Sequence, residues 1–177
     1  YAKNLFAEAR LIFHFAVFIQ PDYGKAYYNL GSTYEELKQI KTAIAYYKKA
    51  IDYGNVTALN NRGRLLIQNN CKEAKKLFQK AVLPENRKVR YALLTNQARA
   101  ELCLNNYEKA RDYLQAAIEI DDESVEAQCL LTVALQKMGD RSAAIAQISK
   151  CPNDPPPNLP ELHRWSRQLT HQQLLAD

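Results

Sequence analysis

Histidine and acidic side chains are the residues of this sequence that could support acid–base catalysis. The histidines are His14, His163 and His171, and they fall near the two ends of the 177-residue chain. Acid–base catalysis requires groups that converge on one point. The sequence has no glycine-rich phosphate loop and no HExxH or GxSxG motif. We therefore predict that the protein is not an enzyme and that it has no catalytic residues and no cofactor.

Four cysteines could bind a metal or form disulfides. Cys71, Cys103, Cys129 and Cys151 include no CxxC pair and have no histidine at zinc-finger spacing. We therefore predict reduced thiols that pack as small apolar side chains, with neither a metal site nor a disulfide. Reduced thiols favour a cytoplasmic location. The sequence also shows no signal peptide and no transmembrane segment, so no membrane partner is expected.

Asparagine and arginine side chains recur at a regular spacing, and they could bind a peptide. Asn29, Asn61 and Asn96 are separated by about one repeat length, and so are Arg64 and Arg99. An amide can both donate to and accept from an extended peptide backbone. A guanidinium group binds a carboxylate or a phosphate at two points. Whether these side chains share a surface depends on the helices that carry them.

One short pattern recurs five times along the chain: an alanine, a bulky residue four positions later, and a small residue three positions after that. The spacing places the three side chains on one helix face, where the small members let a neighbouring helix approach closely. Repetition at this period indicates a helical repeat protein. The copies are Ala9, Phe13, Ala16; Ala43, Tyr47, Ala50; Ala74, Phe78, Ala81; Ala110, Leu114, Ala117; and Ala144, Ile148, Cys151.

A second helical pattern precedes four of these helices. It is clearest as Tyr27, Leu30, Gly31 and Tyr34, and its small position is taken by Gly63, Ala98 and Thr132 in the later copies. Short polar turns separate the two helices of each pair. The sequence therefore predicts an all-α chain of helix hairpins stacked in series.

These hairpins resemble the tetratricopeptide repeat family, with its 34-residue unit, small residue in the first helix and alanines in the second. The resemblance implies a right-handed superhelical solenoid of antiparallel hairpins that binds a protein partner in a concave groove. It divides a single domain, residues 1–177, into an incomplete first repeat at 1–22 and repeats at 24–55, 56–90, 91–124 and 125–158. A final helix at 159–177 is expected to cap the exposed end of the stack, with partner binding as the alternative.

The groove is expected to be lined by the first helix of each repeat, on the face opposite Leu30 and Gly31. Some members of the family hold peptides with an asparagine ladder, and the resemblance carries that role to Asn29, Asn61 and Asn96; a routine surface role is the alternative. Arg64 and Arg99 are expected side by side, favouring an acidic or phosphorylated segment. The predicted peptide-binding residues are Lys25, Tyr28, Asn29, Ser32, Asn60, Asn61, Arg64, Asn96 and Arg99.

The N-terminal helix carries more apolar surface than one neighbour can cover. We expect further polypeptide to pack on it, either an N-terminal segment of a larger protein or a second copy in a homo-oligomer. The residues concerned are Phe6, Leu11, Ile12, Phe13, Phe15, Val17 and Phe18.

Two other functions remain as alternatives. The net charge of +5 and the 11 tyrosines would suit RNA, which some helical-repeat proteins bind. However, Tyr34, Tyr47 and Tyr113 fall at packing positions, and Glu36 and Glu126 would repel phosphate in the groove, so nucleic acid is not the expected partner. A structural spacer or homo-oligomerisation module is the other alternative.

Overall fold

The computed structural model describes the backbone of residues 2–151 and the side chains of residues 5–151. Within this range the protein has nine α-helices and no strand, which confirms the prediction of an all-α repeat fold. The capping helix predicted at 159–177 lies outside the described residues. The helices are α1 (Ala2–Ile19), α2 (Gly24–Glu36), α3 (Ile40–Asp52), α4 (Ala58–Leu66), α5 (Cys71–Phe78), α6 (Arg87–Cys103), α7 (Tyr107–Ile120), α8 (Val125–Met138) and α9 (Arg141–Ile148).

The described helices fall into two compact units, with α1 to α5 in the first (unit 1) and α6 to α9 in the second (unit 2). In unit 1 each of the helices α1 to α5 packs against the next one along the chain. In unit 2 the helices α6 to α9 pack in the same consecutive manner, with a smaller contact between α6 and α8. Consecutive packing of this kind is the arrangement expected of hairpins in series.

The recurring alanine pattern lies on the buried faces of α3 and α7, and its first two members are buried in α5 and α9 as well. In α3, Ala43 and Ala50 are fully buried and the Tyr47 side chain between them is 1% exposed. The corresponding residues of α7, which are Ala110, Leu114 and Ala117, are also fully buried. The structure therefore confirms that the four-and-three spacing marks a helix-packing face.

Two glycines in unit 1 make room for aromatic rings. A Cβ atom added to Gly31 in α2 would lie 2.6 Å from the Tyr47 ring, and one added to Gly63 in α4 would lie closer still to the Phe78 ring. Carbon atoms in favourable contact are about 3.5–4.0 Å apart. Glycine is therefore required at both positions as long as the rings are present. In unit 2 the residues at these two pattern positions, Ala98 and Leu114, belong to one core cluster. There alanine replaces the smaller glycine, and leucine replaces the larger aromatic residue.

Side-chain caps fix the start of four helices. The side chains of Asn70, Asn86, Ser124 and Asp140 each accept a hydrogen bond from a backbone N–H in the first turn of the following helix. At the other end of α8, Gly139 adopts a left-handed conformation with φ of 80°. These polar and glycine signals set the helix boundaries around the turns.

The prediction of four unpaired cysteines was wrong. Cys129 in α8 and Cys151 after α9 form a disulfide, with Cα atoms 4.8 Å apart. Because α8 and α9 pack against each other, residues 129 and 151 lie close together although 22 positions separate them in the sequence. A CxxC motif is not needed for such a pairing. The argument for a cytoplasmic location from reduced cysteines therefore no longer applies.

Candidate peptide-binding surface

Tyr47 of α3 connects the core of unit 1 to a group of polar side chains. Its ring is buried against Gly31, and its hydroxyl donates to Glu35 Oε2 at 3.1 Å. The same hydroxyl accepts a hydrogen bond from Asn61 Nδ2 at 3.3 Å. One phenol thereby fixes the positions of a carboxylate from α2 and an amide from α4.

Asn61 is also tied to Tyr28. Its Nδ2 atom donates to the Tyr28 hydroxyl at 3.3 Å, and the Tyr28 ring centroid lies 5.7 Å from that of Tyr47. The two N–H bonds of the amide therefore have the two tyrosine hydroxyls as acceptors. Two of the predicted peptide-binding residues, Tyr28 and Asn61, thus contact each other across unit 1.

Arg64 is held by an acidic residue that the sequence analysis did not select. Its Nη2 atom forms an ion pair with Glu35 Oε1. The side chains of Arg64 and Glu35 are 37% and 22% exposed, so the pair reaches the surface. Glu35 lies four residues after Gly31 on α2, on the same side of the helix as Gly31, so a search confined to the opposite face did not include it. The resulting set of Tyr28, Glu35, Tyr47, Asn61 and Arg64 is called the polar network below.

The hydroxyl of Tyr47 is difficult to ionise in this setting. Burial raises the pKa of Tyr47 above its ordinary value of 10.0, the negative charge of Glu35 raises it further, and the hydrogen bond from Asn61 acts in the opposite direction. Loss of the proton would place a second negative charge beside Glu35. The polar network is thus built for a neutral phenol.

We predict that Tyr47→Phe lowers the free energy of unfolding by about 1 kcal/mol at neutral pH, the cost of a part-buried hydrogen bond. A raised pKa in the folded state means that folding favours the protonated phenol. Its contribution is complete below the unfolded pKa of about 10 and is lost as pH rises above it. Urea unfolding at pH 8 and above pH 10 should therefore show a steeper alkaline loss in the wild type than in Tyr47→Phe. Equal alkaline losses would contradict this interpretation.

Three predicted residues, Lys25, Tyr28 and Asn29, line one surface pocket of 580 Å³. The pocket lies between the first turn of α2 and the turn that joins α3 to α4. Lys25 is exposed at its edge, whereas Tyr28 and Asn29 are half-buried. Its other lining residues are Asp22, Tyr23, Gly24, Tyr53, Gly54, Asn55, Val56 and Thr57.

The remaining predicted residues divide between the two units. Ser32 on α2 and Asn60 on α4 are half-buried in unit 1. Asn96 and Arg99 lie on α6 in unit 2, where Asn96 is 5% exposed and Arg99 is paired with Glu126 at 3.5 Å. The Arg99 side chain is 11% exposed, far less than that of Arg64. The side-by-side placement of the two arginines therefore stays a prediction.

The described part of the chain offers few groups for other chemistry. Among its residues, no three or more His, Cys, Asp or Glu side chains are grouped so that they could hold a metal ion. His14 lies with its Nε2 atom 3.1 Å from the Tyr34 hydroxyl and meets the Tyr34 and Tyr46 rings edge-on. Of the helices described, none is both long and apolar enough to cross a bilayer.

Two family models match the sequence. A model described as tetratricopeptide repeat matches residues 24–53, which span α2 and α3. The chain belongs to the tetratricopeptide repeat family. A model described as coatomer epsilon subunit matches residues 67–157, so the chain falls within that family as well over slightly more than half of its length. No curated protein matches the sequence.

Solved structures of the same family share the fold. PilF of Pseudomonas aeruginosa is 19% identical, with a TM-score of 0.71 over 84% of this chain and 68% of that one. YrrB, described as a tetratricopeptide repeat protein with an unusual peptide-binding site, is 24% identical, with a TM-score of 0.67 over 78% and 72%. MamA from Desulfovibrio magneticus RS-1 is 17% identical, with a TM-score of 0.71 over 90% and 86%. At these identities the likeness establishes the fold.

Family membership supports a protein–protein interaction module. Tetratricopeptide repeat proteins are generally scaffolds without catalytic activity. A protein is therefore the class of partner to which the polar network and the adjacent pocket should be compared.

Proposed function

We propose that the protein is a docking module that binds an extended, acidic or phosphorylated peptide segment of a protein partner on the surface where α2 and α4 meet. The observation that carries the proposal is the polar network, in which side chains from α2, α3 and α4 hold one another in place. Side chains that are already ordered lose little conformational entropy when a ligand binds. A peptide would therefore meet a pre-organised set of donors and acceptors.

Asn61 and Asn29 would contact the peptide backbone. The N–H bonds of Asn61 point to two tyrosine hydroxyls, so its Oδ1 atom is the group that would accept from a peptide N–H. Asn29 lies on the wall of the adjacent pocket, beside Tyr28. An extended strand bonded at these two amides would pass over the Tyr28 ring, and the pocket would receive one of its side chains.

Lys25 and Arg64 supply the preference for negative charge. Glu35 pairs with one Nη atom of Arg64, and a guanidinium group has five N–H donors, so a peptide carboxylate or phosphate would bind its outer edge. Lys25 is exposed at the pocket edge and adds a second positive charge. Because both groups are partly solvated, each contact would contribute about 1 kcal/mol or less.

One similar protein and one matching family support a peptide or protein ligand. YrrB, which has the same fold, carries an unusual peptide-binding site. The coatomer epsilon family is named as a subunit, which implies assembly with other chains. Both descriptions favour a polypeptide partner, and the acidic character rests on Lys25 and Arg64.

Nucleic acid is a weaker candidate. The Tyr34 and Tyr46 rings stack at 5.1 Å, and those of Tyr27 and Tyr53 stack at 5.2 Å. Rings that stack on one another offer less surface to bases. A net charge of +5 supplies only a general attraction for phosphate.

The proposal is tested with four fluorescent ten-residue peptides of one sequence pattern: acidic, phosphoserine-containing, neutral and basic. We expect the acidic and phosphorylated peptides to bind, and Arg64→Glu to weaken them at least tenfold by placing a second carboxylate beside Glu35. Lys72→Glu on the exposed side of α5 makes the same change in net charge and is the matched control. Fluorescence anisotropy at two salt concentrations measures both.

Equal losses in the two variants would show that net charge alone attracts the peptides and would contradict a site at Arg64. Binding of none of the four peptides would contradict peptide docking on this surface. An oligouridylate probe added in parallel identifies the nucleic-acid alternative, which is supported if it binds more tightly than every peptide.

A further inference from the structure

Exposed apolar side chains are concentrated in the pocket beside the polar network. On α1, six large apolar side chains are exposed, as its sequence predicts, and residues 20–82 leave four more exposed. Three of these four line the pocket, and they are Tyr23, Tyr53 and Val56. The fourth, Val82, does not line it. The pocket volume of 580 Å³ lies within the range of about 300–1,000 Å³ that is usual for ligand sites.

The walls of the pocket are ordered in the absence of a ligand. The Tyr53 ring stacks on the buried Tyr27 ring, with the two centroids 5.2 Å apart. The first turn of α2 lies directly against the end of α3, because a Cβ atom added to Gly24 would be 2.5 Å from the Tyr53 carbonyl oxygen. The hydroxyl of Tyr28 accepts a hydrogen bond from Asn61. The walls would therefore lose little conformational entropy when a side chain binds.

The lining of the pocket favours a neutral aromatic side chain. Tyr23, Tyr28 and Tyr53 all contribute to it, and two aromatic rings attract each other more strongly than their buried area alone predicts. Asp22 and Lys25 carry opposite charges and are both exposed in the lining. A charged side chain in the pocket would be attracted by one of them and repelled by the other. A neutral side chain avoids this repulsion.

Asn29 supplies the pocket with a hydrogen-bonding group. Its side chain is half-buried in the lining, and within the described part of the chain its amide has no hydrogen-bond partner. An amide has two N–H donors and an oxygen that accepts twice. Asn29 can therefore bind the peptide backbone and still accept from the hydroxyl of a tyrosine or the indole N–H of a tryptophan.

The distance from the pocket to Arg64 sets a spacing along the bound peptide. Lys25, Tyr28 and Asn29 line the pocket, so its centre lies near residue 27 of α2, whereas Arg64 pairs with Glu35 near the end of the same helix. From residue 27 to residue 35 is eight positions, or about 12 Å at 1.5 Å per residue. An extended peptide covers this distance in about four residues, and residues four apart in a strand face the same side.

We propose that the pocket receives a tyrosine or tryptophan side chain of the partner segment, and that the acidic or phosphorylated residue bound at Arg64 lies about four positions from it. This inference rests on the proposed function. It adds a motif that the partner should carry, an aromatic residue and a negatively charged residue at a fixed spacing.

Fluorescent ten-residue peptides with one phosphoserine test the motif by anisotropy. Alanine, leucine, phenylalanine or tyrosine stands four positions from the phosphoserine, in either chain direction. We expect phenylalanine to bind about tenfold more tightly than alanine and about threefold more tightly than leucine. Tyrosine should bind about fivefold more tightly than phenylalanine. A tyrosine next to the phosphoserine should give no such gain, because one extended residue spans only about 3.3 Å.

Matched variants locate the aromatic side chain. Val56→Ser removes apolar surface from the pocket wall, and Val82→Ser makes the same change at an exposed position that does not line the pocket. The tyrosine peptide should bind Val56→Ser about threefold more weakly and Val82→Ser as it binds the wild type. Asn29→Ala should weaken every peptide and abolish the difference between tyrosine and phenylalanine. Circular dichroism checks that the variants remain helical.

The pocket is also probed without a peptide. N-acetyltyrosinamide is titrated into the full chain, and the side-chain amide resonances of Asn29 are followed by NMR. We expect saturable shifts. If this probe binds but no peptide does, the aromatic pocket is supported, and peptide docking is overturned together with the spacing.

Peptides that bind equally whatever residue stands at the fourth position would overturn the aromatic pocket and leave peptide docking intact. Equal losses in the two valine variants, or a preference for tyrosine that survives in Asn29→Ala, would place the aromatic side chain elsewhere and overturn the assignment. Binding of neither the peptides nor the probe would overturn both proposals.

Discussion

Replacing Gly63 by alanine should lower the free energy of unfolding by about 2 kcal/mol, the typical cost of overpacking a well-filled core. Helix propensity alone predicts the opposite, since alanine is favoured over glycine inside a helix by up to about 1 kcal/mol. The added methyl group would overlap the Phe78 ring, a buried aromatic on the adjacent helix. The sign of the change therefore distinguishes the close contact from the propensity. Urea unfolding followed by circular dichroism measures it.

The loss should be recovered by making the ring smaller. Unit 2 combines Ala98 with Leu114 in one core cluster, and Gly63→Ala with Phe78→Leu reproduces that combination in unit 1. Phe78→Leu alone should cost about 1 kcal/mol, because it leaves a void beside Gly63. In the double variant the added methyl group fills the void left by the smaller side chain. The two changes in the free energy of unfolding should therefore be clearly non-additive.

Additive losses in this cycle would mean that Gly63 and Phe78 do not act on each other. A net gain in stability from Gly63→Ala alone would mean that the ring moves aside without cost, and the glycine would then not be required.

Removing the Cys129–Cys151 disulfide should cost about 3 kcal/mol, the entropic contribution expected for a loop of this length. The two residues are 22 positions apart, and the bond joins α8 to the segment after α9. In the double variant Cys129→Ala, Cys151→Ala, the folded hairpin keeps its helix contacts, but the unfolded chain gains freedom. Hydrogen exchange should accordingly accelerate in α8 and α9. Chemical unfolding gives the magnitude.

Cys151→Ala alone is the control, because it breaks the bond while retaining the Cys129 side chain, which is 2% exposed. If the single and double variants lose the same stability, the covalent bond is responsible. A loss that appears only in the double variant would assign the effect to packing of Cys129, and a change below about 0.5 kcal/mol in both would show that the loop is already ordered without the bond.

The fold could be predicted because its determinants are local. Ala43, Tyr47 and Ala50 lie within eight residues, and one helix face must bury all three. The small residue opposite them, Gly31, is predictable for the same reason. Both the all-α fold and the repeat family follow from such patterns, which need no knowledge of how distant segments meet.

The partners of the candidate site depend on contacts between segments, and these were missed. Arg64 was selected from its helix face, but the carboxylate that holds it, Glu35, is 29 residues away on α2. Asn61 was expected to bind a peptide through its amide, whereas its N–H groups donate to the hydroxyls of two tyrosines from other helices. The pairing of Cys129 with Cys151 has the same origin. A single sequence gives the face of a helix more readily than the side chain that will oppose it.

The requirement for glycine beside an aromatic ring, at Gly31 and Gly63, also constrains how the sequence of such a repeat can evolve. Replacing an aromatic–glycine pair by a leucine–alanine pair requires two substitutions. If glycine changes first, the intermediate has a steric clash; if the aromatic residue changes first, the intermediate has a void. With costs of about 2 kcal/mol for the clash and about 1 kcal/mol for the void, the ring should shrink before the glycine grows. Repeats with only one of the two substitutions should therefore have leucine opposite glycine more often than an aromatic residue opposite alanine.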